Sequence, residues 1–223
     1  MEPVGAGSRS TKKNKMTNEK LKVLAFSDIH GDQKAIEQMV MKAEKENVDL
    51  VIIAGDFSPR HALDTAPPNL VGPFLKLGKR VLVLHGNNET ETTLQFLSDR
   101  YGVKSLHGYA VEYKGVGIFG AGSASVGPFP TTEKEIFEKL EKGFKYVNKS
   151  GKKLMVTHAH PAGSMMEKFT TVFPGSKSVR KAIDQFQPDL VICGHVHEAE
   201  GVEEIIGATK VINVAKSGKV FEI

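Results

Sequence analysis

Residues 21–32 read Leu21-Lys-Val-Leu-Ala-Phe26-Ser-Asp28-Ile-His30-Gly-Asp32. A nearly unbroken apolar run of strand length gives way at once to acid, imidazole and glycine. Such a run, bounded by turn residues, reads as a strand buried on both faces, the kind found in parallel sheets. The punctuation recurs along the chain. The apolar run 50–54 ends in Gly55-Asp56, and 81–84 leads to Gly86-Asn87-Asn88-Glu89. Further on, 153–157 runs into His158-Ala-His160-Pro161, and 190–193 into Gly194-His195-Val-His197. Five strands therefore each deliver Asp, Asn or His to their carboxyl ends, where open α/β sheets bind ligands.

The intervening segments supply the crossovers. Ile36, Met39, Val40 and Ala43 recur at helical spacing and give one face of an amphipathic helix. Short helices are expected near 70–77 and 90–98, so the first half alternates strand and helix, which implies parallel strands. The rhythm then changes. The runs 109–113 and 116–119 flank Lys114-Gly115 and read as a hairpin. A long helix carries Ile136, Phe137, Leu140, Phe144 and Val147 on one face, and another helix spans 178–186. The end is all strand, at 202–206, 209–214 and 219–222. The expected fold is α/β: a four-layer αββα sandwich of two mixed β-sheets flanked by helices. Gly120-Ala-Gly122-Ser123 reads as a mobile loop over the site rather than a dinucleotide fingerprint. Pro174-Gly-Ser-Lys177-Ser178 reads as a capped helix start.

The residue types at the strand ends suit metal ions. Carboxylate, amide oxygen and imidazole are donors for borderline divalent ions such as Mn, Fe, Zn or Ni. Residues two apart in an extended segment project to one side, so Asp28 with His30, and His195 with His197, can converge. Each motif alone has a plainer explanation: Asp56 as a helix cap, His158 as a satisfied core histidine. Five in sequence, each after a strand, do not.

The set resembles the calcineurin-like metallophosphoesterase family, whose motif order is D-x-H, G-D, G-N-H-[DE], a lone His, then G-H-x-H. The matching wording here is Asp28-Ile-His30, Gly-Asp56, Gly-Asn87-Asn88-Glu89, His158 and Gly-His195-Val-His197. It spans residues 21 to about 215 and is most like the small bacterial and archaeal phosphoesterases. The resemblance implies two divalent metal ions, one held by Asp28, His30 and His197, the other by Asn87, His158 and His195, with Asp56 bridging. It also implies a dinuclear phosphoesterase acting on a small phosphorylated substrate, a phosphodiester or activated phosphomonoester. The ions would lower the pKa of a water between them and polarise the phosphoryl oxygens.

One position departs from the family. Asn88 stands where the relatives have a histidine that serves the leaving oxygen. Its amide can donate a hydrogen bond to substrate but has no proton to give near neutral pH. His160 is the candidate replacement acid, and Glu89 keeps the family's acid, free to orient Asn88 or a water. The competing functional class is a catalytically weak or inactive metal-binding scaffold of the same fold; Asn88 is the feature that favours it, and the complete ligand set opposes it.

Bulk properties narrow the remaining classes. The 223 residues are 40% hydrophobic and 25% charged, enough for one sizeable core. Net charge is +4, but residues 1–20 hold Arg9, Lys12, Lys13, Lys15 and Lys20 against Glu2 and Glu19, leaving about +1 for the body. Residues 1–20 are thus expected to be a disordered basic tail, with Met16 an alternative start, and 21–223 the folded domain. No basic stripe interleaved with aromatics supports a nucleic-acid partner. No apolar run reaches membrane-spanning length, no apolar leader is present, and the single Cys193 excludes a disulfide framework. A cytoplasmic location is expected, and the oligomeric state is not readable. If Asn88 removes acid assistance, Asn88→His should accelerate alkyl-leaving-group substrates more than nitrophenyl ones, by up to about 10²–10⁴-fold. Equal acceleration of both classes in steady-state assays would count against the idea.

Overall fold

The computed structural model describes residues 20–223, so the tail assigned to 1–20 lies outside the described residues apart from Lys20. In chain order the elements are β1 (Lys22–Phe26), α1 (Gln33–Lys45), β2 (Leu50–Ala54), α2 (Gly72–Lys76), β3 (Arg80–Leu84) and α3 (Glu91–Tyr101). There follow β4 (Lys104–Ser105), β5 (Ala110–Tyr113), β6 (Val116–Ala121), α4 (Glu133–Val147), β7 (Lys152–Thr157), α5 (Lys177–Phe186) and β8 (Leu190–Cys193). The chain ends with β9 (Glu203–Ile206), β10 (Thr209–Asn213) and β11 (Lys219–Glu222). One sheet has the order β11-β1-β2-β3-β4, the other β5-β6-β7-β8-β10-β9. In both, the central strands are parallel and an antiparallel strand sits at an edge.

Strand periodicity builds the layers. Alternate residues of β1, β2 and β3 point to opposite faces. Leu24, Phe26, Val51, Ile53 and Val83 pack against Ile36, Met39, Phe74 and Leu97 of the three helices on that side. Their neighbours Val23, Ala25, Ile52 and Leu82 meet Ile118, Leu154, Val156 and Ile192 of the second sheet. Beyond that sheet, Phe119, Met155 and Val191 pack under Ile136, Leu140, Val179 and Ile183 of α4 and α5. The result is helix, sheet, sheet, helix, the expected four-layer sandwich.

Two details differ from the sequence reading. β4 is two residues long, too short to leave a hydrophobic pattern. Residues 120–123 are not a mobile loop: β6 runs through Ala121, and Gly122 and Ser123 are buried, with the Ser123 N–H donating to the His85 carbonyl. Its glycines serve close approach, because a Cβ on Gly122 would stand 2.5 Å from the His85 carbonyl oxygen. The helix start at 177 is as expected, with the Ser176 hydroxyl accepting from the Val179 N–H. No helix among the described residues is long and apolar enough to cross a membrane. Ile52→Ala, between the sheets, is expected to cost about 2–5 kcal/mol in urea denaturation. Tyr146→Ala, at a side chain that is 74% exposed, should stay within about 0.5 kcal/mol.

Candidate metal centre

The strand-end loops are tied to one another beyond the sheets. Asp28 N–H donates to the Gly55 carbonyl and His30 N–H to that of Asp56, both at 3.0 Å, extending the β1–β2 ladder. Gly194 N–H donates to the His158 carbonyl (2.9 Å), doing the same for β7 and β8. The two sheets are joined through side chains. The Asp28 carboxylate accepts from the His195 N–H (3.1 Å), and His158 Nδ1–H donates to the Ala54 carbonyl (2.9 Å). Asp28, His30, Asp56 and His195 all have left-handed backbone, with φ of 56°, 47°, 51° and 71°. Such conformations cost non-glycine residues about 1–3 kcal/mol at most and persist where surroundings over-determine them.

All seven sequence-predicted donors meet. Ligand atoms of Asp28, His30 and His197 lie within 4.8 Å of one another, and so do those of Asp56, His158 and His195. Asn87 joins the second group, its Oδ1 being 3.1 Å from His158 Nε2. Asp56 lies between: its Oδ2 is 3.8 Å from His30 Nε2, and its Oδ1 is 3.5 Å from His158 Nε2.

The donor set fits cations. Because His158 Nδ1 donates to Ala54, the Nε2 lone pair faces oxygens of Asp56 and Asn87, an arrangement that calls for positive charge between them. Burial opposes a charged ring there, yet the Asp56 carboxylate overrides it and pushes the His158 pKa up to about 10. His30 and His197 bring their Nε2 atoms to 3.1 Å of one another beside Asp28. His195 Nε2 is buried without a hydrogen-bond partner, and burial with the neighbouring His158 holds its pKa down to about 3. Asp28 keeps a lowered pKa although burial pushes it up, because His197 hydrogen-bonds it and His158 lies close.

The remaining predicted residues take unequal places. Asn88 lines the cleft, but its Nδ2 is 3.1 Å from both Asp56 Oδ2 and His30 Nδ1, so its amide is engaged with the donor set. Glu89 does not orient Asn88. It is fully buried, with Oε2 accepting from the Asp56 and Gly86 N–H groups and Oε1 from the Ser58 N–H, which staples the β2 loop to the β3 loop. Burial and the Asp56 charge push Glu89 up to about 7 against the pull of hydrogen bonds from Ser58 and Gly86. His160 is 0% exposed, stacks 6.4 Å from His195 and does not line the cleft. Burial holds its pKa down to about 4, so it is neutral at pH 7.

Sequence reasoning missed Arg60. It overhangs the cleft of about 510 Å³ above the donors, with Nη2 3.5 Å from His197 Nδ1. The only signal was a cation four residues beyond Asp56. Leu63, Pro128 and Phe173 form apolar walls. A third donor group, Glu91, His107 and Glu135, also gathers within 4.8 Å. It is a poor metal site. His107 Nδ1 accepts from the Gly122 N–H (2.9 Å), so the neutral ring keeps its proton on Nε2, the atom facing Glu91. Lys139 Nζ, 3.0 Å from Glu91, already supplies the cation.

In this sandwich, acid, amide and imidazole donors converge from both sheets into groups able to hold metal ions. Residues 21–199 match the calcineurin-like phosphoesterase family; the chain belongs to that family and is a metal-dependent hydrolase of phosphate esters. It is 25% identical over 207 residues to the uncharacterized protein MJ1162 of Methanocaldococcus jannaschii, covering 86% of this chain and 87% of that one. Its fold is similar to that of TT1561 of Thermus thermophilus (TM-score 0.69, 16% identity, 92% and 99% of the two chains). It also resembles an archaeal phosphodiesterase (TM-score 0.52, 19% identity, 91% and 99%).

Two outcomes follow from the electrostatics. The raised His158 pKa stabilises the metal-free fold fully below the unfolded value of 6.5, and this stabilisation is lost as pH rises through about 10. Chelator-treated protein should therefore lose stability across that window in thermal melts, and His158→Asn should flatten the decline. Glu89→Gln sets an amide against one of three backbone donors and should destabilise by about 1–3 kcal/mol in urea titrations.

Proposed function

We propose that the chain is a dinuclear metal-dependent phosphoesterase acting on phosphodiesters or activated phosphomonoesters in the cytoplasm. The observation that carries this reading is the split of Asp56, whose two oxygens face two separate donor groups. Asp28, His30 and His197 would hold one ion, Asn87, His158 and His195 the other, and Asp56 both. The ions, from among Mn, Fe, Zn and Ni, would supply Lewis-acid activation of water and of the phosphoryl oxygens.

The chain's own groups do the rest. Arg60 projects a guanidinium over the cleft and is placed to hold a non-bridging phosphoryl oxygen by charge-assisted hydrogen bonds. Asn88 steadies His30 and Asp56 with its amide nitrogen and forms part of the cleft wall that substrate would meet. His160, neutral and buried beneath His195, supports that ring's position; no group among the described cleft residues replaces the family's histidine as a proton donor. Substrates whose leaving groups need no protonation are therefore favoured. Leu63, Pro128 and Phe173 offer an apolar seat for such a leaving group, and an aryl phosphodiester fits the combination. Asn88 also favours a second reading, a metal-binding scaffold without turnover.

Metal analysis combined with hydrolysis of bis(nitrophenyl) phosphate separates these. Two divalent ions per chain and measurable turnover are expected. Asp56→Asn should lower rate and metal retention by more than about 100-fold, beyond the 10–100-fold typical of residues outside the ligand shell. Arg60→Ala should retain both ions and raise KM by about tenfold, a charge-assisted bond's worth. Full activity in Asp56→Asn would sink the proposal, and two bound ions without turnover would establish the scaffold.

A further inference from the structure

A second hollow, of about 480 Å³, opens at the opposite end of the sandwich from the metal donors. Its origin is the length of β4. That strand pairs with β3 only at Leu82 and Val83, so the first residues of β3 have no β4 partner. β5 pairs with β6 alone and is the edge of its own sheet. The hollow is the gap left between these two edges, floored by Leu50, Val81, Leu82 and Val111.

Two exposed cations stand at the rim of the layer between the sheets. Leu82 faces the layer between the sheets, and Arg80, two residues earlier, shares that face. Lys104 is in register with Leu82. Among the described residues neither Arg80 nor Lys104 has a carboxylate partner. The Arg80 guanidinium is instead held 4.4 Å over the Tyr113 ring, which pre-orders it at the mouth. Lys79 adds a third positive charge, with Nζ 2.9 Å from Asn47 Oδ1. The acid lining the hollow, Glu112, is engaged by the Ser150 hydroxyl at 2.6 Å. A concavity of this volume, with an apolar floor and charged groups converging at its mouth, has the dimensions of a small-molecule site.

We propose that this hollow is a second ligand site, taking a small anion with a planar apolar body, such as an aryl carboxylate, sulfonate or phosphate. The anion would meet Arg80 and Lys104, and the planar body would enter the gap beside Tyr113. β3 links the hollow to the metal donors: Arg80 begins it and Gly86 follows its end, about 20 Å away at strand rise. Charge at a sheet edge also guards against edge-to-edge pairing. That role requires neither a ligand nor Tyr113.

The probe is 8-anilinonaphthalene-1-sulfonate, titrated by fluorescence into the metal-loaded full chain beside uncharged N-phenyl-1-naphthylamine. One saturable site for the sulfonate is expected, with the uncharged analogue binding at least about tenfold more weakly, the factor one charge-assisted hydrogen bond supplies. Arg80→Gln and Lys104→Gln, each checked by thermal melt for an intact fold, should weaken the sulfonate by a similar factor. Arg60→Gln, at the other end, should leave it unchanged. The proposal is overturned if both neutral variants bind as wild type, if the uncharged analogue binds equally, or if Arg60→Gln abolishes binding. Self-association of Arg80→Gln and Lys104→Gln with unaltered sulfonate affinity would assign the cations to edge protection instead.

Discussion

Three carboxylates, Asp28, Asp56 and Glu89, are buried together where the two sheets open, and the end of the sandwich is organised around their charge. An uncompensated buried carboxylate is strongly unfavourable. Glu89 is compensated by three backbone N–H groups, Asp28 by the His195 N–H, the Ser27 hydroxyl and His197, and Asp56 by Asn88 and the facing imidazoles. What the backbone does not neutralise is left to the histidines, and hence to cations. The raised pKa of His158 is the proton-bound version of the same demand.

That electrostatic requirement accounts for the backbone. Four donor residues adopt left-handed conformations because the carboxylates and rings must turn inward at once as each strand ends. Glycine at 86 and 194 makes room: a Cβ at Gly194 would stand 2.5 Å from Asp28 Oδ2, and one at Gly86 would fall on the Asp56 carboxylate. Strain and crowding concentrate at the strand ends, while the strands themselves pack as ordinary apolar layers.

Most of the fold was legible because its signals are local. Continuous apolar runs such as 50–54 and 190–193 mark doubly covered strands, and the spacing of Ile36, Met39 and Ala43 marks a helix face. β4 was not legible, since a two-residue strand has no period. The burial of 120–123 was not legible either: its glycines resemble loop residues until the His85 carbonyl is seen beside them. Glu89 reads from sequence as an acid that orients Asn88 or a water, yet its partners are backbone groups, most of them from a loop some 30 residues earlier, which carry no side-chain signature.

The sequence by itself determined the family and, β4 apart, the order of strands and helices, and it singled out the seven side chains that the fold gathers, because each is bound in the chain to the end of an apolar strand. Only the tertiary structure decided which oxygen of Asp56 faces which histidine, that His160 lies beneath the site and Arg60 above it, and that the Asn88 amide reaches His30. Those are relations between loops of two different sheets, set by how the sheets stack and by hydrogen bonds across the gap, and no spacing along the chain encodes them.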